Sequence, residues 1–182
     1  MKRKTAKELL ADSFRELAET KTIDKITIKD ITDNCGYSSA TFYRQFRDKY
    51  DLIAWAYSRD LKQIMARVDE VSWEQALSDA AHYYGEHREY LANLLMHTSG
   101  YDSFLQNMME IHNAALSACV RRSAGQNALG DMLSMLIRGY VFSTVHLTCE
   151  WILGKYAVDA EHLAEVYARS LPADLQPYLS EK

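Results

Sequence analysis

The sequence predicts an all-α fold, and three observations predict it. Only 2 prolines and 7 glycines interrupt 182 residues. Apolar residues recur at helical spacing through nearly the whole chain. Hydroxyl and carboxylate residues stand where helix starts need capping. Pro172 and Pro177 both lie near the C-terminus, where they are expected to end helical structure.

The elements follow in order. From Thr5 to about Thr20, Ala6, Leu9, Leu10, Phe14, Leu17 and Ala18 mark a first helix, and residues 20–26 break its pattern. Thr27 can cap a short second helix, with Asp30 three residues on close to a capping box; Ile28 and Ile31 face inward and Gly36 closes it. Ser38 opens a third helix that carries Phe42 and Phe46 inward. A fourth, longer helix starts near Asp48 and runs through Leu61 to Met65. Further helices are expected from Ser72 to Glu86, from His87 to Met96 and, after a break at Ser99-Gly100, from Tyr101 to Arg122. The most apolar segment, Ala128 to Leu153, carries apolar groups nearly all round and should be buried on several sides. Gly154 ends it, and Asp159 caps a last helix reaching Ser170. The division expected is 1–47, a 48–68 connecting helix, and 69–182.

Hydrophobic residues make up 48% and charged residues 25%, a globular composition. The net charge of -4 is uneven: residues 1–60 hold 12 Lys/Arg against 10 Asp/Glu, and the remainder 9 against 15. A mildly basic head on an acidic body suits contact with phosphates at one end only. Three scattered cysteines (Cys35, Cys119, Cys149) point to neither a disulfide framework nor a zinc ribbon. The charged N-terminus shows no secretory signal, and the longest uncharged stretch, Gly139 to Cys149, is too short for a membrane span. A soluble cytoplasmic protein, with no membrane partner, is expected.

The segment Thr27 to Phe46 carries the functional argument. Two short helices hinged at Cys35-Gly36-Tyr37 have the form of a helix-turn-helix reader of the DNA major groove. Ser39, Ala40 and Thr41 are small enough for deep entry, and hydroxyls and methyls can contact base edges. Arg44 and Gln45 add long donors; Tyr43 and Lys49 are placed to grip phosphates, and Lys29 and the tail residues Lys2, Arg3, Lys4 and Lys7 add charge. By spacing alone, the same residues also describe two amphipathic helices joined at a glycine turn. A single short helix reads few base pairs, so two copies on two half-sites are expected.

The run from Phe14 through Leu52 resembles the N-terminal domain of the TetR family of bacterial transcriptional regulators. The matching residues are Thr27, Ile31, Gly36, Ser38, Thr41-Phe42-Tyr43, Phe46, Lys49 and Leu52. The longer string from Thr41 to Trp55 is similar to a branch that includes the coactivator of dihydroxyacetone kinase operons, and Glu150 to Gly154 is so more weakly. Two departures are visible. The glycine often found two residues after the serine cap is Ala40 here, and the one that often ends the first helix is replaced within Lys21-Thr22-Ile23-Asp24.

The resemblance implies about nine helices: a three-helix DNA-binding domain followed by a helical domain for ligand sensing and dimerisation. It implies phosphate contacts from Tyr43 and Lys49, and base proximity for Lys29, Ser39, Ala40, Thr41 and Gln45, with Thr27, Ser38 and Arg44 beside them. The last two helices would form a dimer interface, with Phe142, Val145, Trp151 and Leu163 as candidates; Ala128–Leu153 reads equally as a core helix. The expected partners are a double-stranded DNA operator, a second copy and a small-molecule effector of unknown identity. A repressor is the first expectation; a coactivator of the same fold that does not itself read DNA is the alternative.

The remaining signals are weaker. Tyr84, Tyr101, Phe104, Met108, His112 and Met135 are candidates to line an effector pocket, and read equally as core. His146, Cys149 and Glu150, and His82 with Glu86, have helical ligand spacing, but no HExxH or cysteine pair accompanies them, so no metal is expected. No cofactor motif, nucleophile elbow or phosphate-binding glycine loop is present, so no enzyme is expected.

Overall fold

Local capping explains where most helices begin. In this computed structural model, which describes residues 4–97 and 104–179, helix α1 is Ala6–Ala18. Its Glu8 N–H donates to Thr5 Oγ1 at 3.3 Å while Glu8 Oε2 accepts the Thr5 N–H at 2.7 Å, a reciprocal capping box. A one-turn 3-10 helix, Ile23–Lys25, fills the expected break. Helix α2, Ile28–Cys35, opens on a second capping box between Thr27 and Asp30 and ends at Gly36, φ 72°. That left-handed conformation is the reason for glycine there. Helix α3 is Ser39–Tyr43, capped by Ser38, and helix α4 is Lys49–Ala66, capped by Asp48.

The body follows with α5 Trp73–Glu86, α6 Arg88–His97, α7 Phe104–Ala124, α8 Asp131–Ile152 and α9 Ala160–Arg169. Asp159 caps α9 as expected, and Ser72, expected as the first residue of α5, is its cap instead. Among the described residues there are nine helices of at least five residues and no strand. Two sequence expectations are corrected. The apolar segment becomes helical only at Asp131, after Gly130. Pro177 does not end helical structure: it sits in the first turn of a four-residue helix, α10 Gln176–Leu179, where its missing N–H leaves no bond unmade.

The N-terminal helices close over Leu10, Phe14, Ile26, Ile31, Phe42 and Leu52, all fully buried. Each such side chain stabilises the fold by about 1.5–3 kcal/mol. Their contacts run without a gap into a body core centred on Tyr84, Leu91, Phe104, Met108 and Leu116. Helix α9 lies against α5, and α7 packs on both α4 and α8. No helix among the described residues is long and apolar enough to cross a membrane.

Candidate nucleic-acid interface

Two buried phenylalanines decide which face of α3 is free. Phe42 and Phe46 lie 5.8 Å apart (ring centroids) in the core, leaving Ser39, Ala40, Tyr43 and Arg44 exposed and Thr41 and Gln45 half-buried. Tyr43 is 60% exposed and stands edge-on to Phe42, which orients its ring without covering its hydroxyl. The Thr41 N–H donates to Ser38 Oγ at 3.2 Å, and Arg44 Nη2 donates to Thr41 Oγ1 at 3.0 Å. The cap, the helix start and the long donor therefore form one hydrogen-bonded set. Arg44 and Gln45 lie just past the last helical residue, Tyr43, so the reading helix is shorter than the sequence suggested.

Lys49 is held differently from the expectation. Its ammonium donates to the carbonyls of Ile23 at 2.9 Å, Asp24 at 3.3 Å and Ile26 at 3.2 Å. An ammonium has three protons, and all three are taken. In this conformation Lys49 locks the 3-10 turn between α1 and α2 to the start of α4, and acts outward as a charge rather than a hydrogen-bond donor. No glycine is needed after α1. The chain leaves α1 with Glu19 in the right-handed region, and Gly36, Gly125 and Gly154 are the described residues with positive φ.

The other cations are partly engaged. Lys29 pairs with Asp33, Lys21 with Asp30 at 3.1 Å, and Lys4 with Asp12 at 2.7 Å. Lys7 lies over the Phe46 and Trp55 rings at 5.1 and 5.7 Å, a cation–π seat that sequence spacing did not reveal. The Thr27 hydroxyl and N–H, then Lys21, hold the Asp30 carboxyl down to about 2. The α2 capping box is therefore charged at neutral pH.

The head is tied to the body through residues the sequence did not single out. Arg15 of α1 pairs with Asp60 of α4, and the Tyr83 hydroxyl of α5 donates to the same carboxylate oxygen at 3.0 Å. Burial, then the Asp60 charge, pushes the Tyr83 phenol well above its ordinary value, so it remains a donor. These partners are 23 and 45 residues apart in sequence, beyond any local motif.

The expected effector residues separate. Tyr84, Phe104, Met108 and His112 are buried together in the core, with Tyr84 Oη 2.9 Å from His112 Nε2. Burial lowers the His112 imidazole to about 4. Met135 does not join them: it is 71% exposed on α8. Tyr101 lies outside the described residues. Among the proposed dimer residues, Val145, Trp151 and Leu163 are buried within the chain itself and offer little surface to a second copy, whereas Phe142 is exposed. Trp151 Nε1 is spent on the Val158 carbonyl at 2.7 Å. Among the described residues no three His, Cys, Asp or Glu side chains converge as metal ligands. His146 Nδ1 faces the Phe142 carbonyl and His82 Nε2 faces Glu161.

Residues 9–55 match the family model of bacterial regulatory proteins, tetR family. The HTH-type dhaKLM operon transcriptional activator DhaS of Lactococcus lactis subsp. lactis (strain IL1403) is 19% identical over 98 residues, 53% of this chain and 52% of that protein. The match thus spans about half the length of that curated relative. The solved dihydroxyacetone kinase operon activator DhaS has a TM-score of 0.68 at 17% identity, covering 96% of this chain and 98% of that one. Thermus thermophilus FadR, a TetR family repressor solved with lauroyl-CoA, has a TM-score of 0.67 at 14% identity, covering 97% and 96%. The repressor AlkX of Dietzia sp. strain DQ12-45-1b has a TM-score of 0.68 at 16% identity, covering 97% and 98%. At these identities the structures show a shared all-α fold.

Proposed function

We propose, from the premise that residues 9–55 form a TetR-family N-terminal domain, that the chain is a homodimeric DNA-binding transcriptional regulator. Residues 1–47 act as the reader head, 48–68 as the connecting helix, and 69–182 as the regulatory and dimerisation body. The head enters the major groove of a palindromic operator, and an effector releases it as from a repressor. The observation that carries this reading is the outward face of α3. Ser39, Ala40, Tyr43 and Arg44 are exposed side by side while Phe42 and Phe46 fix the helix from behind. Small residues at the helix start admit the helix to the groove, and the phenol and guanidinium flank it at phosphate height.

Both similar DhaS proteins are described as activators, which bears on the sign of control and not on DNA reading. The alternative is a coactivator of the same fold that does not itself read DNA. Gel-shift binding to the DNA around the chain's own gene separates the two. The regulator reading expects a retarded complex whose affinity falls steeply with salt and weakens on Tyr43→Phe. Absence of any duplex binding at low salt moves the assignment to the coactivator.

A further inference from the structure

The outward face of α3 has less hydrogen-bonding capacity to offer than its residue types suggest. Thr41 Oγ1 accepts from Arg44 Nη2 at 3.0 Å and shares a further hydrogen bond with Ser38 Oγ at 3.2 Å. Ser38 Oγ also accepts the Thr41 N–H at 3.2 Å. Both hydroxyls are engaged in holding the start of the helix and the Arg44 side chain, so a base edge would have to break that set to use them. The part of the half-buried Thr41 side chain that lies outside the set is its γ-methyl.

Ala40, between Ser39 and Thr41, is exposed, and its whole side chain is a methyl group. An exposed alanine needs no explanation by itself. Its setting supplies one. Ala40, Tyr43 and Arg44 stand at i, i+3 and i+4 on one face. Phe42 and Phe46, 0% and 3% exposed, anchor the helix from the other side. Phe46 is braced in turn by the Trp55 ring, with centroids 5.9 Å apart, and by the Lys7 ammonium 5.1 Å from its own centroid. The Ala40 methyl is therefore held in a fixed place between a phenol and a guanidinium. The neighbouring Ser39 hydroxyl both donates and accepts, so it suits either base of a pair and discriminates little. Apolar contact discriminates sharply, because the 5-methyl of thymine is the apolar group that base pairs present in the major groove.

We propose that Ala40, with the γ-methyl of Thr41 beside it, selects thymine. In each half-site a thymine 5-methyl packs on the Ala40 methyl, and that base pair is chosen by this contact rather than by a hydrogen bond from Thr41. The assignment rests on the regulator reading above and adds to it which base the head selects, and by which group.

Selection of duplexes from a random library by the full chain tests it, followed by resynthesis of the best duplex with deoxyuridine for each thymidine in turn, at matching positions of both half-sites. That change deletes the methyl and keeps every base-pairing group. The selected half-sites are expected to share a thymine whose replacement weakens binding about fourfold per half-site, the loss of one buried methyl. Ala40→Gly is expected to lose a similar factor on the thymine duplex and then to bind the thymine and uracil forms equally, since the contact is already gone. A glycine that merely loosened this short helix would weaken both duplexes alike and keep the uracil penalty. Half-sites with no common thymine, equal binding of both duplexes by the parent chain, or a uracil penalty undiminished in Ala40→Gly overturns the proposal and leaves DNA reading standing. If no duplex is selected at all, the regulator reading fails and the thymine contact falls with it.

Discussion

The hydroxyl of Tyr90, on α6, donates to the carbonyl of Ala18, the last residue of α1, at 2.6 Å. The carbonyls of a helix's last turn have no partner within the helix, so the body supplies one to the reader head. The Tyr90 ring also meets Phe14 edge-on, with centroids 6.4 Å apart. Together with the Arg15–Asp60–Tyr83 set, this makes the angle of α1 a property of the body rather than of the head alone.

Tyr90→Phe keeps the ring contact and deletes the hydrogen bond. The expected loss is about 1 kcal/mol in urea unfolding, with faster amide exchange confined to the end of α1. Asp60→Asn is expected to cost more, about 1.5–3 kcal/mol, since both Arg15 and Tyr83 lose a charged acceptor. An Asp60→Asn variant as stable as the parent would show that the joint does not hold the head.

Lys49 and Tyr43 should part company when stability and DNA binding are measured together. Lys49→Ala removes the donor to three carbonyls and is expected to destabilise by about 1–3 kcal/mol while also weakening binding to every duplex, with a shallower salt slope. Tyr43→Phe, at an exposed position, is expected to leave stability within about 0.5 kcal/mol and still weaken binding. Equal effects of the two variants on unfolding would contradict the clamp.

What the sequence disclosed and what it hid divide by range. Thr27, Ser38, Asp48 and Asp159 all cap as expected, because a cap needs only its own residue and one three positions on. Gly36 was legible for the same reason. Lys49's partners lie 23 to 26 residues upstream, and no periodicity announces them. Whether Val145 or Phe142 faces outward on a helix with apolar groups nearly all round depends on which neighbours cover it, and α8 carries too scattered a polar face to tell.

His112 gives the fold a pH dependence with a definite sign. Its imidazole titrates near 4 when buried and near its ordinary 6.5 when unfolded, so between those values the unfolded chain binds more protons. The contribution is fully present above pH 6.5 and is lost as pH falls toward 4, on the order of 3 kcal/mol in all. His82, raised by the Ser78 carbonyl and then Glu161, and His162, raised by Asp159, act in the opposite sense. The comparison that isolates His112 is therefore with His112→Gln, which is expected to flatten the fall in stability from pH 7 to 5. Parallel curves would refute the assignment.

The exposed face of α8 bears on assembly. Met132 and Met135 are 72% and 71% exposed, Phe142 is 55% exposed, and Gly139 between them adds no bulk. These positions share one face of a 22-residue helix, and Val166 adds an exposed apolar residue on α9. Large apolar side chains in a row on a surface are destabilising to leave in water and mark a contact. Phe142 is the best probe because it is the largest exposed apolar side chain on this face, its ring tilted against His146 with centroids 4.1 Å apart. Phe142→Glu places a charge on that face without touching the buried side of α8. Light scattering at matched concentration is expected to show a dimer for the parent chain and a monomer for the variant, with unchanged helix content. DNA affinity should fall at the same time, since two half-sites are then read by unlinked heads. A variant that remains dimeric would place the interface elsewhere.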